Sequence, residues 1–138
     1  MFLLDTNVVS ELRRGEKSDP HVFGWASHNE QTEFFISAIT ILEIEVGALQ
    51  RARNDEVQGR MLRRWIDETV LVRFDGKILA VDTAIALRCA RLHVPNRKPE
   101  RDALIAATAL VHGLTLATRN TRDFSSTGAK LFNPWLAE

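Results

Sequence analysis

One cysteine, Cys89, stands in 138 residues, which excludes an internal disulfide and suits a reducing compartment. Its setting, Ala86-Leu87-Arg88-Cys89-Ala90, reads as the buried face of a helix rather than a reactive thiol. Long apolar runs are also missing. Nothing approaches the roughly 20 residues of a bilayer-spanning helix, and the start lacks the basic segment and apolar core of a signal peptide. A cytoplasmic location is the expectation. Charge of one sign is absent too. Eighteen basic residues balance eighteen acidic ones, so no global positive field announces a nucleic-acid partner, and such a partner would need a local patch. No Gly-x-Gly-x-x-Gly follows the first apolar run, which disfavours a dinucleotide-binding enzyme. Repeats, low-complexity segments and interdomain linkers are lacking, so one domain over residues 1–138 is expected.

What is present is ordinary in amount, 45% apolar and 26% charged, and informative in order. Phe2-Leu3-Leu4 is a continuous apolar run, as expected of a strand buried on both faces of a parallel sheet. Asp5 or Thr6 caps the helix that follows, through Leu12, by accepting from its free first-turn amides. Gly15 marks a stop, and Ser18-Asp19-Pro20 opens a second helix. Glu33 to Ser37 reads as a second strand, and Ser37 caps a helix from Ala38 to about Arg51. A helical segment from Glu56 to Val70 carries Val57, Met61, Leu62, Trp65 and Ile66 on one broad apolar face. That face is large for a small domain and is expected to associate with another copy.

Asp75-Gly76 signals a turn before a third strand, Ile78 to Val81. Asp82 or Thr83 then caps a helix through Leu92, and 94–99 is a proline-bounded loop. Glu100 to His112 forms a helix stopped by Gly113. Residues 114–118 and 130–132 supply two more strands, separated by a polar loop over 119–128. Strands alternating with helices predict a three-layer α/β/α sandwich around a central parallel sheet of about five strands.

Certain acids fit this frame poorly. Asp5 stands at the carboxyl end of a central strand, where open α/β sheets hold ligands, although N-capping alone would explain it. On the helix from Ala38, Ile39, Leu42, Val46 and Leu49 form one stripe and Ile41, Ile44 and Ala48 a second, so burial on two sides is expected. Glu43 falls on the shoulder of the first stripe with no lysine or arginine three or four residues away. A buried, unpaired carboxylate is costly and needs a cation or a raised pKa. Glu45 sits in the opposite gap and reads as a solvated edge. Asp102 opens a helix of small apolar residues, where the helix dipole alone accounts for it. Asp123 follows the fourth strand, where an Asx-turn would suffice. Together, however, these acids lie at separate strand–helix corners that a parallel sheet gathers. Carboxylates without matching cations describe a hard-metal site for Mg²⁺ or Mn²⁺, commonly used for phosphoester hydrolysis.

Asp5-Thr6-Asn7 after a strand, Ala38-Ile39-Thr40-Ile41-Leu42-Glu43, Arg101 to Ala109 and Thr118 to Phe124 resemble the motifs of PIN-domain ribonucleases. The chain is similar to the VapC toxins of type II toxin–antitoxin systems, and its closing Phe132-Asn133-Pro134-Trp135 is similar to the FitB-like branch. The resemblance implies an acidic quartet of Asp5, Glu43, Asp102 and Asp123 holding Mg²⁺ or Mn²⁺, with Asn120 competing with Asp123 for the fourth position. Thr6, Asn7 and Thr118 would be supporting polar groups. It further implies an RNA substrate, a VapB- or FitA-like antitoxin and a homodimer. RNA would be met by Arg13, Arg14 and Lys17 beyond the first helix and by Arg119 with Arg122 beside Asp123, whereas Arg60, Arg63 and Arg64 read as a solvated face. A metal-dependent DNA nuclease or phosphatase on the same acids, and a non-catalytic module whose acids clasp a basic segment, are the competing readings.

Overall fold

The computed structural model describes residues 1–29 and 33–136; residues 30–32, 137 and 138 of the expected domain lie outside it. Among the described residues five strands, all parallel, form one sheet in the order β3-β2-β1-β4-β5. They are β1 (Phe2–Leu4), β2 (Phe34–Ser37), β3 (Ile78–Leu79), β4 (Thr115–Ala117) and β5 (Leu131–Phe132). The helices are α1 (Thr6–Leu12), α2 (Pro20–His28), α3 (Ala38–Asn54), α4 (Glu56–Trp65), α5 (Leu71–Arg73), α6 (Thr83–Leu92), α7 (Glu100–His112) and α8 (Thr121–Phe124).

Successive strand residues point to opposite faces, and the core divides accordingly. Leu4, Phe34, Ile36 and Ala117 pack with Val8, Val9, Ile44, Ala48, Ile66, Val70 and Phe74 on one side. Leu3 and Leu116 pack with Ile105, Ala106, Ala109 and Phe124 on the other. Helices α1 and α3–α5 thus cover one face and α7 and α8 the other, the expected three layers. Small residues let α7 lie close to the sheet, and Ala103 and Ala107 also meet Ile85 and Cys89 of α6. Cys89 is buried on that helix face, as expected. A left-handed Gly113 (φ 65°) ends α7, with Leu114 N–H returning to the Ala109 carbonyl at 2.9 Å as in a Schellman motif.

The chain steps from β1 outward to β2 and β3, then returns past β1 to β4 and β5. The order therefore reverses between β1 and β4, the switch point at which parallel sheets open a crevice beyond the strand ends. Leu4 pairs with Ala117, so Asp5 and Thr118 leave the sheet side by side.

Four expectations are corrected. The third strand stops at Leu79, and Ala80 and Val81 are exposed. Its neighbour β2 ends at Ser37, which pairs with Leu79 and caps α3 by accepting from Ile39 N–H at 2.9 Å, so nothing remains to pair further. Second, α3 buries its first stripe only in part, with Ile39 packed against the core and Val46 half-buried. Ile44 and Ala48 are in the core, while Leu42 and Leu49 are 44% and 58% exposed, because α7 and α4 cover only part of the helix. Third, the apolar face over 56–70 expected to associate is divided: Ile66 is buried and Leu62 and Trp65 pack against the core, while Val57 and Met61 stay exposed. Fourth, the loop over 119–128 contains the short α8.

The tight α3–α4 hairpin explains the third point. A Cβ on Gly59 would lie 2.5 Å from Ala52 Cβ and 2.6 Å from Ala52 Cα, so glycine permits the close crossing. The helix then runs through a π turn at Ile66–Val70, which keeps Ile66 and Val70 on the sheet.

Candidate active site

Asp5 has the extended conformation (φ −69°, ψ 159°) that lets one residue end a strand and begin a helix. Its carbonyl accepts from Val8 and Val9 N–H, and its Oδ1 from Thr6 N–H at 2.8 Å. Of the two candidate caps of α1, Asp5 is the one used. Its Oδ2 accepts from the Thr118 hydroxyl at 2.7 Å and the Asn7 side-chain amide at 3.4 Å. Asn7 also accepts the Arg119 N–H at 3.3 Å, tying α1 to the segment after β4. Asp5 is 6% exposed and Thr118 fully buried.

Glu43 comes from α3. The Thr6 hydroxyl donates to its Oε1 at 2.5 Å and lies 3.2 Å from the Thr40 hydroxyl. The expectation that Glu43 lacks a partner is corrected. Its Oε2 is 4.0 Å from Arg101 on α7, a contact half exposed on the arginine side and therefore weak. The cation comes from another helix, beyond the reach of a spacing rule. Asp102 stands in the first turn of α7, with no hydrogen-bond partner among the described residues.

Burial is the main influence raising the Asp5 carboxyl above its ordinary value; the charges of Glu43 and Asp102 add to it, and the Thr118 and Thr6 bonds oppose it. Asp102 is raised as well, first by burial, then by Glu43 and Asp123. Like charges held this close disfavour joint ionisation. An open cleft of about 520 Å³ at the strand ends is lined by Asp5, Thr6, Asn7, Glu43, Asp102 and Asn120, together with Arg119 and Trp135. Asp123 is exposed on α8 and acts on Asp102 through its charge, while Asn120 lines the cleft and donates its N–H to Thr118 Oγ1 at 3.0 Å.

Oxygen donors with surplus negative charge fit a hard cation such as Mg²⁺ or Mn²⁺. Among the described residues, the tightest Cys/His/Asp/Glu group lies elsewhere, at Cys89, His93 and Glu100. There Lys98 N–H donates to His93 Nδ1 at 3.0 Å, so in the neutral ring Nε2 carries the proton and faces Glu100 Oε1 at 3.4 Å. That trio is a hydrogen-bonded strap beneath the 94–99 loop.

Other residues singled out are engaged locally. Arg13 stacks on Trp65 with its guanidinium carbon 5.7 Å from the ring centre, and Arg14 pairs with Glu11. Arg60 and Arg64 pair with Glu56 and Glu68 on a solvated face, as expected. Glu45 receives both guanidinium nitrogens of Arg63, at 2.6 and 2.7 Å. Thr40 was not anticipated; a lone hydroxyl one turn before Glu43 on a largely apolar helix was the available signal.

Carboxylates gathered at the β1/β4 switch point of a parallel α/β/α sandwich define a recognisable class of domain. The chain belongs to the PIN-domain family, whose model matches residues 2–130. It is 35% identical to the plasmid stability protein StbB of Pseudomonas syringae pv. tomato, covering 99% of this chain and all of that one. Identity is 32% to toxin FitB of Neisseria gonorrhoeae, covering 98% and 99%. It is 31% to VapC ribonuclease Y4jK of Sinorhizobium fredii, covering 98% of each. The crystal structure of FitAcB from Neisseria gonorrhoeae superposes with a TM-score of 0.89 at 32% identity over 99% of both chains.

Proposed function

We propose that this chain is a divalent-metal-dependent endoribonuclease, acting in the cytoplasm as the toxin of a toxin–antitoxin pair. The observation that carries the reading is the convergence of Asp5, Glu43 and Asp102 on one open cleft, where burial first and neighbouring acids second raise the carboxyls of Asp5 and Asp102. Relatives named as a ribonuclease and as a toxin over nearly the whole chain support RNA as the substrate. Asp5, Asp102 and Glu43 would hold Mg²⁺ or Mn²⁺, with Asp123 or Asn120 at the fourth position. A divalent cation bound there would lower the pKa of a water and offset charge on the phosphate.

The chain's own groups do the positioning. Thr118, Asn7 and Thr6 N–H fix the Asp5 carboxylate, and the Thr6 hydroxyl fixes that of Glu43. Hydrolysis forms a bond from water oxygen to phosphorus and breaks one ester P–O bond, whose oxygen leaves with a proton. Arg119 in the cleft lining and the exposed Arg122 three residues on would supply positive charge for the RNA backbone. An acid-lined cleft also accepts an arginine, so a basic side chain of an antitoxin is the proposed inhibitor. A single domain over 1–138, pairing as a homodimer, completes the reading.

Cleavage of labelled RNA in Mg²⁺, its loss with chelator, and resistance of DNA of the same sequence are expected. Efficient DNA cleavage would point to a DNA nuclease. Cleavage of neither polymer, with no melting shift on adding Mg²⁺ or Mn²⁺, would overturn the assignment.

A further inference from the structure

Trp135 and Arg119 also line the cleft, and their arrangement is not needed to hold a cation. The Arg119 guanidinium carbon lies 5.1 Å from the centre of the Trp135 ring. The indole also packs against the core beside α2, so arginine covers the side the core leaves open. Both partners are fixed through the backbone. Arg119 N–H donates to Asn7 Oδ1 at 3.3 Å, and its carbonyl accepts from the Asn133 side-chain amide at 3.5 Å. Asn133 Oδ1 in turn accepts Trp135 N–H at 2.9 Å, fixing the turn that carries the indole. Just before Arg119, Thr118 N–H continues the sheet ladder to Phe132 O at 2.9 Å. The platform is thereby attached to Asn7, which also contacts Asp5.

Arg119 is exposed, and no carboxylate pairs with it among the described residues. Arg14, Arg60, Arg63 and Arg64 all have such partners. A guanidinium laid on an indole with its outer plane free is a stacking surface for an unpaired nucleobase, carrying a positive charge toward the neighbouring phosphate.

We propose that Arg119, backed by Trp135, is a substrate-positioning residue that stacks on an unpaired RNA base near the scissile phosphate. The inference rests on the endoribonuclease reading and adds to it a requirement for a single-stranded, base-bearing nucleotide beside the cut. Planarity, beyond charge, is what matters. Arg119→Lys keeps the charge and loses the plane.

The experiment uses the full chain and short single-stranded RNAs in Mg²⁺, with an abasic nucleotide placed at each position in turn. The platform predicts that Arg119→Lys raises KM about tenfold or more while kcat falls less. One abasic position near the cut should penalise the wild type by a similar factor and penalise Arg119→Lys little further. Trp135→Phe should lie between wild type and Arg119→Lys, which separates stacking from loss of fold. Wild-type KM in Arg119→Lys, or equal abasic penalties in both proteins, would overturn the platform while leaving the endoribonuclease assignment intact. A wild-type chain that neither cuts nor binds RNA would overturn both.

Discussion

The hydroxyl of Thr6 donates to Oε1 of Glu43 at 2.5 Å, so the residue following one acid of the cleft positions another. Thr6 begins α1 while Glu43 lies in the second turn of α3, and the bond couples the two helices at the strand ends. Thr6→Val, nearly the same in shape, removes this donor and should cost about 1–3 kcal/mol of stability. It should also reduce RNA cleavage and the melting shift produced by Mg²⁺, whereas Thr6→Ser should retain both. A Thr6→Val protein with wild-type metal response would remove Thr6 from the site.

The pH dependence of the metal-free protein should run against the usual carboxylate trend. Burial, aided by neighbouring charge, raises Asp5 above 3.8, so the folded state binds that proton more tightly than the unfolded chain. Its contribution to stability is full below the unfolded pKa and is lost as pH rises through the folded one. In chelator, Asp5→Asn should therefore remove a downward slope beginning just above the unfolded carboxylate pKa, near 4, and be at least as stable as wild type at neutral pH. The Mg²⁺ melting shift should vanish with it. Superimposable stability–pH curves for the two proteins would contradict the electrostatics described.

Asp102 and Asp123 should differ in degree. Asp102 lines the cleft, while Asp123 is exposed and reaches it through charge. Asp102→Asn should abolish cleavage, whereas Asp123→Asn should lower activity or metal affinity by about 10–100-fold, as groups behind direct ligands do. Asn120→Ala beside them identifies the fourth position: the larger loss marks the residue that occupies it. Equal loss of cleavage in Asp102→Asn and Asp123→Asn would refute the ranking.

Gly59→Ala tests the helical hairpin far from the cleft. Helix propensity favours alanine by about 1 kcal/mol, but the new Cβ would meet Ala52 backbone at 2.6 Å. Overpacking against backbone should win, for a net loss of about 1–3 kcal/mol. Ala52→Gly should restore only part, because Ala52 Cα remains in the way. Thermal melts decide it; a raised melting temperature would show that α3 and α4 separate easily.

Much of this was legible in the sequence because the signals were local. Three apolar residues followed by Asp5 describe a buried strand meeting a helix cap, and Gly113 after His112 describes a helix stop. Asp102 ahead of Ala103, Ala106 and Ala107 indicates a helix pressed on a sheet with its start near the strand ends. What escaped depended on partners distant in the chain. The length of β3 was set by where β2 ends, not by Ala80 and Val81. Leu42 and Leu49 have the period of a buried stripe, yet periodicity does not say which face a neighbour covers. Arg63 meets Glu45 and Arg101 approaches Glu43 across helices, where no i,i+4 rule applies. The Arg119–Trp135 stack joins residues brought together by the β4–β5 pairing.

The reversal of strand order between β1 and β4 has a consequence for synthesis. Asp5 emerges from the ribosome first, but Thr118, which donates to it, and α7, which brings Asp102, come more than ninety residues later. Parallel pairing of β1 with β4 must await that distant segment. A nascent chain therefore carries its first acid long before it can assemble a cleft, and any truncation ahead of β4 leaves the acids scattered. Assembly of the cleft is thus withheld until β4 has been translated.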